Sequence, residues 1–527
     1  MEAGADVTGG TGPVAGARQG TAGLIAIGSG LACFLLTAFL GPSVFEPALS
    51  GDRAHPPYSL TVHPSPFLVV ALVVAGVIAG TAGLGLCLDA VRRGWRCRPV
   101  PLVAAGLLVA ALFAFMPPIG SSDHLNYAAY GRMVVTGHDP YATRAVDVPG
   151  DPVIGAPEEW RRTPSVYGPI TTGGQALASW LGDGSVRLTV FVLSILNTLA
   201  FALTALILYR TSRTGERRLR TALLWTCNPL VLLHLVAGAH NDVLAIAPMV
   251  AAVALFAARP RASGWRALAT GAVVGAATAV KLPAALVGGG PAWALLRRAR
   301  TDRGALLRLA GLFGGAAAVA AIAFALGGPN SLDQVNQSSN MVSLATPWRL
   351  VDRALGVGGQ RDLIKLCSVA LAVVLTVLLA RALPREPGAA ASGRGALTGG
   401  PAGEDEAGES RRIAAALVLA WLFAAPYELP WYDGFAWAML ALLPWSRIDW
   451  PLLAHTGVLS LAYLPARAPH RIGMPDSLSW LFTVVRPWVI PLALTAVLGA
   501  LIAICLRRRD RVPATGRSPR ASAGSPG

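Results

Sequence analysis

Four polar side chains in one short stretch of the sequence have the types and the spacing that acid–base chemistry could use. They follow the third apolar segment of the chain, at positions i, i+3, i+4 and i+7: Asp123, Asn126, Tyr127 and Tyr130. In a helix this spacing places all four on one face. A carboxylate beside an amide and two phenols can accept a proton and hold a polar substrate by hydrogen bonds. This helix face is therefore our first candidate for a functional site.

The sequence also predicts where this helix begins and ends. Ser121 or Ser122 can cap its first turn. Gly137 can end it in the left-handed conformation, and Pro140 prevents its continuation. In a simpler interpretation, Asp123 only complements the helix dipole, and the tyrosines only belong to an aromatic belt at a membrane surface.

A second polar group lies at a tight connection between two apolar segments. It consists of His240, Asn241 and Asp242. Ionisable groups at such a membrane boundary are functional candidates. Asn241 or Asp242 could instead serve only as the cap of the following helix. Capping does not explain His240, so both interpretations stay open.

Lysine is almost absent from this chain, which otherwise uses arginine for its cations. The two lysines are Lys281 and Lys365. Lys281 lies inside an apolar run, where an ammonium needs a partner and is a functional hypothesis by default. A phosphate would be such a partner. Alternatively, the side chain could extend to the membrane surface without any role in chemistry.

A third polar stretch contains aromatic residues and residues that favour turns. It runs from Trp160 through Tyr167 to Pro169. Aromatic rings and hydrogen-bonding groups together suit a sugar, although loops of this composition are common simply because loops must turn.

The elements that position these residues are apolar. The 527 residues are 54% hydrophobic and only 14% charged, with a mean hydropathy of +0.54. Soluble domains carry charge on about a quarter of their residues, so an independent soluble enzyme domain is excluded. The net charge of +16 comes from short arginine clusters between apolar runs, a pattern that sets membrane topology rather than binding nucleic acid. The six cysteines form no CxxC or Cys/His ligand spacing.

We therefore expect an all-α polytopic membrane protein. Runs long enough to cross a bilayer, alone or with tilt, predict about 12 to 14 transmembrane helices. The predicted helices are 21–42, 66–90, 99–119, 186–209, 220–238, 242–258, 267–280, 283–297, 305–327, 362–383, 412–426, 434–446, 449–466 and 485–506.

The arginine clusters predict the orientation of these helices. Cytoplasmic loops are enriched in Lys and Arg, and the clusters all fall on one side of the membrane. Both termini are then cytoplasmic in a multi-pass plasma-membrane protein. The run 267–297 has basic clusters at both ends, so Lys281 lies at a bend toward the outer face. The segments predicted to face outward are 43–65, 120–185, 238–242, 328–361, 427–433 and 467–484.

The same pattern divides the chain into five segments. A disordered cytoplasmic N-terminus (1–20) precedes a catalytic membrane region (21–383), whose long outer loop 120–185 carries short helices. A flexible Gly/Ala-rich cytoplasmic linker (384–411) follows. The C-terminal helices (412–506) lead into a basic disordered tail (507–527).

These pieces resemble the membrane-embedded glycosyltransferases of the GT-C fold that use polyprenyl-phosphate sugars. Within them the sequence looks most like the actinobacterial polyprenyl-phosphomannose-dependent α-1,6-mannosyltransferases that build lipomannan-type cores. The matching motifs are Asp123 with Tyr127–Arg132, Gly137–Tyr141, Tyr167–Pro169, Gly238–Asp242 and Lys281–Pro283.

The resemblance implies an inverting transfer of mannose on the outer face, from a polyprenyl-phosphate donor to a glycolipid or mannan acceptor. Asp123 would be the catalytic base, and the donor phosphate would meet Lys281, Arg132 and Arg349. Substrate contacts would come from a larger set: Tyr127, Tyr130, His138, Asp139, Tyr141, Tyr167, His240, Asn241 and Asp242. No sugar-nucleotide site is expected, because a lipid-linked donor arrives within the bilayer; the sequence also has no Gly-rich phosphate loop in a strand–turn–helix setting.

No metal or other cofactor is assigned from the sequence. A divalent ion could still be bound if three carboxylates converge, those of Asp123, Asp139 and Asp242. The partners that we expect are the lipid-linked donor, the acceptor and the bilayer.

Two other classes of protein could have this composition. A transporter or flippase for a lipid-linked sugar would also have many helices, with polar groups at the midplane of the membrane. The outer loop of about 65 residues greatly exceeds the usual connection of about 4 to 6 residues and favours an enzyme. A purely structural membrane scaffold would need neither Asp123 nor Lys281.

Overall fold

The fold is described by a computed structural model. The residues that it describes are 12–257, 263–333, 341–385, 406–467, 472 and 474–507. Every regular element among these residues is a helix, which confirms the predicted all-α class.

The helices follow one another as a series of long and short segments. In chain order they are α1 (Gly12–Leu40), α2 (Pro66–Arg92), α3 (Pro99–Ala114), α4 (Asp123–Val135), α5 (Pro169–Gly182), α6 (Val186–Thr211), α7 (Gly215–Ala237, with internal π-helical turns), α8 (Asp242–Phe256), α9 (Gly264–Val280), α10 (Gly289–Arg298), α11 (Arg303–Gly327), α12 (Trp348–Ala354), α13 (Arg361–Ala382), α14 (Glu406–Ala424), α15 (Asp433–Ala441), α16 (Asp449–Ala462) and α17 (Ile490–Leu506).

Seven of the helical segments in the described part of the chain are long and apolar enough to cross a membrane. They are Gly16–Leu40, Pro66–Arg92, Val186–Thr211, Gly215–Ala237, Arg303–Gly327, Arg361–Ala382 and Asp476–Leu506. The prediction of a polytopic membrane protein is thereby confirmed. The predicted total of about 12 to 14 crossings depends on shorter apolar helices such as Pro99–Ala114 and Asp242–Phe256.

Two predicted boundaries differ from the structure. Helix α1 begins at Gly12, so the predicted disordered segment 1–20 overlaps a helix, and residues 1–11 lie outside the described part. Helix α14 begins at Glu406, inside the predicted linker 384–411; residues 386–405 lie outside the described part. The same holds for residues 508–527 of the predicted tail.

The early start of α14 has an electrostatic cause. Glu406 pairs with Arg298 at 2.8 Å, and Glu409 pairs with Arg297 at 2.7 Å. Both arginines end helix α10, so the first turn of α14 is held against that helix. The linker composition indicated flexibility, but these acidic residues have partners that lie more than 100 positions earlier in the chain.

Segments that were predicted to share one side of the membrane contact one another. On the predicted outer side, the Gly120 N–H donates to the Phe45 carbonyl at 2.9 Å, and Arg467 Nε donates to Glu158 at 2.7 Å. On the predicted cytoplasmic side, Arg220 pairs with Asp449 at 2.5 Å. Each of these contacts joins segments that were predicted to share a side.

Two glycines allow the close packing that brings α4 and α9 together around α5. A Cβ atom at Gly131 in α4 would lie 2.0 Å from the Gln175 carbonyl oxygen in α5. One at Gly168, directly before α5, would lie 2.1 Å from the Ala279 carbonyl oxygen in α9. Because no side chain fits at either position, backbones approach here as they do in tightly packed membrane helices.

Candidate active site

A cavity of about 720 Å³ opens between loops that were predicted to face outward and the helices behind them. All four residues of the predicted α4 face line it: Asp123, Asn126, Tyr127 and Tyr130. Their common orientation is the one that the helical spacing predicted. The cavity is also lined by Trp160, Tyr167 and Lys281 from other segments, so three separate polar stretches of the sequence meet in one place.

Helix α4 begins at Asp123, and the two serines before it, Ser121 and Ser122, form hydrogen bonds at this end of the helix. Ser121 Oγ accepts a hydrogen bond from the Asp123 N–H at 3.2 Å. The Ser122 hydroxyl instead donates to Glu159 Oε2 at 3.2 Å. Gly137 follows the helix with φ +81°, which is the left-handed conformation that the sequence predicted for this glycine. Asp123 thus occupies the first turn, where its charge also complements the helix dipole.

The Asp123 carboxyl group lies in an unusual electrostatic environment. Burial, together with the nearby carboxylates of Glu159 and Asp242, raises the pKa of Asp123 to about 7, although Lys281 acts in the opposite direction. Its side chain keeps 18% of its surface exposed, and it lines the cavity. A carboxylate whose pKa lies near neutrality is suited to accept a proton from a hydroxyl group.

His240 supports Asp123 from behind and does not line the cavity. Its Nδ1 lies 2.5 Å from the His234 carbonyl oxygen, so Nδ1 must carry a hydrogen. Its Nε2 lies 2.9 Å from Ser121 Oγ and 3.9 Å from Asp123 Oδ2. The imidazole stacks on the ring of Trp431 at a centroid distance of 3.6 Å.

His240 and Asn241 were predicted to bind substrate directly, but neither side chain lines the cavity in the structure. The His240 and Asn241 side chains are buried, with 0% and 1% of their surface exposed. The loop that carries Ser121 packs against the tip 238–242, because the Ile119 N–H donates to the Ala237 carbonyl at 2.9 Å and Ser121 contacts His240. His240 therefore reaches the cavity only through Ser121 and Asp123.

Lys281 lines the cavity, but its ammonium group already has a protein partner. It forms an ion pair with Asp242, whose side chain has no exposed surface. The ammonium also lies 3.9 Å from the ring centroid of Tyr432 and 5.6 Å from that of Tyr167. Asp242, which was predicted to bind substrate, instead orients Lys281.

The tyrosines of the cavity wall are held by hydrogen bonds. The hydroxyl groups of Tyr127 and Tyr167 lie 2.8 Å apart, with their rings edge to face at 5.1 Å. The Tyr130 hydroxyl donates to the Thr163 carbonyl at 3.0 Å. These contacts fix a rigid aromatic wall next to Asp123, which suits a flat, hydroxyl-rich ligand.

The motif that contains His138, Asp139 and Tyr141 was also predicted to bind substrate, but it lies outside the cavity lining. The exposed His138 contacts Thr136 at 3.0 Å. Asp139 accepts hydrogen bonds from Asn330 and from the Tyr141 N–H, both at 2.8 Å. The Tyr141 hydroxyl is 2.8 Å from that of Thr172. The motif stabilises the segment between α4 and α5, because its polar atoms bond to Thr136, Thr172 and Asn330.

The metal triad considered from the sequence is therefore not assembled. Asp139 bonds to Asn330, far along the chain, while Asp242 bonds to Lys281. The carboxylates that affect Asp123 are those of Glu159 and Asp242.

Two arginines that were predicted to bind phosphate are likewise engaged elsewhere. Arg132 Nε donates to Asp151 at 2.8 Å, and Arg349 Nη1 donates to Asp352 at 2.9 Å. Neither arginine lines the cavity. Both arginines were assigned to the donor phosphate because they were predicted to lie on the outer side of the membrane. The predicted side of a residue does not show whether a carboxylate lies next to it.

The cavity lining includes a cation that the sequence reasoning did not select. Lys365 in α13 lines the wall together with three residues at helical spacing: Ser368, Val369 and Ala372. In the part of the chain that the structure describes, Lys365 forms no ion pair with a carboxylate. Its rarity as one of two lysines was visible in the sequence, but its position depended on packing between distant helices.

The C-terminal half of the chain supplies the remaining wall. Tyr427, Leu429 and Tyr432 line the cavity from the segment that joins α14 to α15, and Trp421 lines it from the last turns of α14. The sequence APYELPWY in this segment is rich in aromatic residues and prolines, a signal that could have indicated a site. Phe324 and Met341 extend the apolar part of the lining.

The fold and the site define a class: a helical membrane protein with a cavity that joins a carboxylate, two ammonium groups and an apolar wall. Comparison with known proteins identifies the family more closely. The profile of the alpha-(1->6)-mannopyranosyltransferase N-terminal domain matches residues 24–297, and the chain belongs to that family. The matched region contains Asp123, Tyr167 and Lys281.

Individual members of the family have low sequence identity to this chain. An alpha-(1->6)-mannopyranosyltransferase A from Corynebacterium glutamicum is 28% identical over 212 residues, which is 40% of each chain. The protein of that name from Mycobacterium tuberculosis is 26% identical over 362 residues, 63% of each chain. A probable alpha-(1->6)-mannopyranosyltransferase from Mycolicibacterium smegmatis is 34% identical over 146 residues, 26% of this chain and 25% of its own length.

The chain thus spans less than two thirds of the length of these curated relatives. No solved structure matches it.

Proposed function

We propose that this protein is an integral membrane mannosyltransferase of the GT-C type. It transfers mannose from a polyprenyl-phosphate donor to a glycolipid or mannan acceptor on the outer face of the plasma membrane, with inversion at the anomeric carbon. The observation that carries this proposal is the cavity, in which Asp123, Lys281 and Lys365 meet an apolar wall. Membership of the mannosyltransferase family supports the choice of sugar.

Asp123 is the general base of the proposed reaction. The acceptor hydroxyl oxygen attacks the anomeric carbon, its proton passes to the Asp123 carboxylate, and the bond from that carbon to the phosphate oxygen breaks. The transition state resembles an oxocarbenium ion, as in glycoside hydrolysis. A pKa near 7 for Asp123 allows the carboxylate both to exist and to hold a proton at neutral pH.

The departing phosphate gains negative charge and needs a cation in a site of low polarity. Lys365 fills this role best, because no described carboxylate neutralises its ammonium group, and it lies on the cavity wall. Lys281 contributes a charge that Asp242 largely offsets. We assign Lys281 to orientation of the donor near Asp123, and Lys365 to the phosphate.

The apolar part of the cavity suits the polyprenyl chain. Two helices contribute to this wall, α11 through Phe324 and α13 through Val369 and Ala372. In each of these helices only 17% of the most apolar window is buried within the protein. A donor dissolved in the bilayer could therefore reach the cavity along α11 and α13.

The orientation of the proposed site follows from the arginine clusters. Cytoplasmic enrichment of arginine puts both termini inside and the loop with Asp123 outside. The contacts among the predicted outer segments and among the predicted inner segments support the grouping of these segments, while the direction of the membrane crossing rests on the arginine clusters alone.

The proposal is tested by reconstitution of the purified protein with lipid-linked mannose, nucleotide-linked mannose and a short mannan acceptor. We expect transfer from the lipid-linked donor only, and a product whose new linkage has the opposite anomeric configuration to the donor. Turnover of the nucleotide sugar alone would contradict the donor assignment. Movement of lipid-linked sugar across vesicles without a new glycosidic bond would indicate a flippase instead.

A further inference from the structure

A compact group of ionisable side chains lies behind the cavity wall, outside the site described above. It joins Glu428, in the segment between α14 and α15, to Asp433 at the start of α15 and His455 in α16. His455 Nδ1 lies 3.0 Å from Asp433 Oδ2, and His455 Nε2 lies 3.4 Å from Glu428 Oε2. All three side chains are at least 97% buried.

The charges of this cluster are not balanced by the surrounding protein. Within the described ranges, neither Glu428 nor Asp433 forms an ion pair with an arginine or a lysine, and His455 is the basic partner of both. Two carboxylate oxygens, Glu428 Oε1 and Asp433 Oδ1, are buried without any hydrogen-bond donor. Buried carboxylates with unmet oxygens are costly unless a cation compensates them.

A protonated His455 would supply only part of that compensation. Its single positive charge would leave the cluster with one net negative charge. Its two N–H groups would donate to Oδ2 and Oε2, and the two unpartnered oxygens would stay unpartnered. A divalent cation with a neutral imidazole would balance both carboxylates and could take up the free oxygens.

We propose that Glu428, Asp433 and His455 bind a divalent first-row transition-metal ion such as Zn²⁺ or Mn²⁺. Imidazole and carboxylate are suitable ligands for these ions, and a site with an imidazole ligand is less suited to Mg²⁺ or Ca²⁺. One ligand atom from each residue lies within 4.8 Å of the others. Only one ring nitrogen of His455 can bind the ion. The distance from that nitrogen to the carboxylate oxygen it faces, 3.0 Å for Nδ1 or 3.4 Å for Nε2, agrees with the spacing of about 3.0 to 3.5 Å between neighbouring ligands whose metal bonds are about 2.0 to 2.2 Å long.

The residues around the cluster provide the second layer that metal sites usually need. One ring nitrogen of His455 binds the ion while the other donates to a carboxylate oxygen, which orients the imidazole. Asp433 Oδ2 also accepts from Thr456 Oγ1 at 2.5 Å. Thr456 Oγ1 in turn accepts from Trp437 Nε1 at 2.9 Å. This chain of hydrogen bonds holds the Asp433 carboxylate in place.

The ion would fasten the segment that forms one wall of the cavity. Tyr427, Leu429 and Tyr432 line the cavity on either side of Glu428 and directly before Asp433. Tyr432 is also the ring against which Lys281 packs. Binding to His455 joins this segment to α16. The ion has a positioning role, and the inference does not depend on the proposed transferase activity.

Metal content and thermal stability of the full-length protein test the inference without any activity assay. The protein is produced in medium with added Zn²⁺ and Mn²⁺, purified without chelator and analysed by mass spectrometry for metals. We expect about one equivalent of bound metal per chain. A strong chelator should lower the Tm, and Zn²⁺ or Mn²⁺ should restore it.

Variants locate the ion. Glu428→Gln and His455→Gln should remove the bound metal and the response of the Tm to chelator. His234→Gln is the matched control, because His234 is another buried histidine, bonded to Ser460 at 2.8 Å and not part of the cluster; it should retain the metal. If a cluster variant fails to fold, the wild-type measurements still decide. Wild-type protein without stoichiometric metal, with a Tm that neither chelator nor Zn²⁺ and Mn²⁺ alter, would overturn the proposal.

Discussion

Lys281 forms an ion pair with the buried carboxylate of Asp242, which lies 39 residues earlier in the chain. The pair joins the start of α8 to the end of α9 at the floor of the cavity. It also explains why an ammonium group is tolerated inside an apolar run: its charge is met by a carboxylate and by the face of the Tyr432 ring.

Asp242→Asn should destabilise the protein, because it leaves the Lys281 ammonium without its countercharge. Loss of one partner of a buried ion pair costs about 3 to 5 kcal/mol, and we expect the lower end because Lys281 is partly exposed to the cavity. Thermal unfolding in detergent measures this change. In the double variant Asp242→Asn with Lys281→Met the loss should be smaller than the sum of the two single losses. Additive losses would show that the two residues are not coupled.

The predicted topology can be tested in intact cells with a cysteine-free background. Trp160→Cys, in the exposed outer loop, should react with a membrane-impermeant thiol reagent. Glu216→Cys, beside the arginine cluster of the α6–α7 connection, should react only after the cells are permeabilised. The opposite labelling pattern would reverse the orientation and place Asp123 in the cytoplasm.

The helix face in α4 could be predicted from the sequence because helical periodicity alone relates Asp123 to Asn126, Tyr127 and Tyr130. Lys281 could be placed on the same side as Asp123, because arginine clusters flank its segment, and both residues line the cavity. The first inference uses only the period of the α-helix, and the second uses only the enrichment of Lys and Arg in cytoplasmic loops.

The partners of the charged residues could not be predicted in the same way. Asp139 bonds to Asn330, 191 residues later, and such pairs depend on how distant helices pack. Arg132 was assigned to phosphate, yet Asp151 takes its guanidinium group. Lys365 was visible as a rare residue, but only the approach of α13 to the α4 face makes it part of the site. Long-range packing therefore decides which polar residues are free to bind a ligand.

Asp123→Asn should lower the transfer rate by about 100-fold or more, because it removes the basic oxygen and preserves the shape of the side chain. Asparagine also caps helices as well as aspartate does, so a purely structural Asp123 predicts a nearly normal rate. Asp147→Asn is the control: Asp147 is an exposed carboxylate in the same loop, paired with Arg144, and it should keep the rate. A folded Asp123→Asn protein with a normal rate would exclude Asp123 as the base.

The raised pKa of Asp123 makes a further prediction about pH. The wild-type rate should increase as the pH rises through about 7, because the base must be unprotonated. Stability should change in the opposite direction. The folded protein holds the Asp123 proton more tightly than the unfolded chain does, so this group's contribution is fully present below pH 4 or so and is lost as the pH rises toward 7. Asp123→Asn should therefore show a smaller loss of Tm between pH 5 and pH 8 than wild type.

The last prediction separates the two lysines of the cavity. Lys365→Met should raise the KM for the lipid-linked donor by about 10-fold or more, because the phosphate loses a charge-assisted contact worth about 1.5 to 3 kcal/mol. Lys365→Arg should recover part of this loss, since arginine also binds phosphate. The Tm should hardly change in either variant, because Lys365 forms no ion pair within the described structure. Lys281→Met, in contrast, should lower both the Tm and the rate, since it leaves the buried Asp242 carboxylate without its partner.

The control for these measurements is Arg144→Gln. Arg144 is an exposed cation of the outer loop, paired only with the exposed Asp147, and a surface pair of this kind contributes little. It should leave the donor KM unchanged, which shows that the loss in Lys365→Met does not arise from general electrostatic attraction to the lipid. If Lys365→Met binds and uses the donor as well as wild type does, the phosphate does not contact Lys365. Lys281 would then be the cation that meets the leaving group, and Asp242 would modulate its charge during transfer.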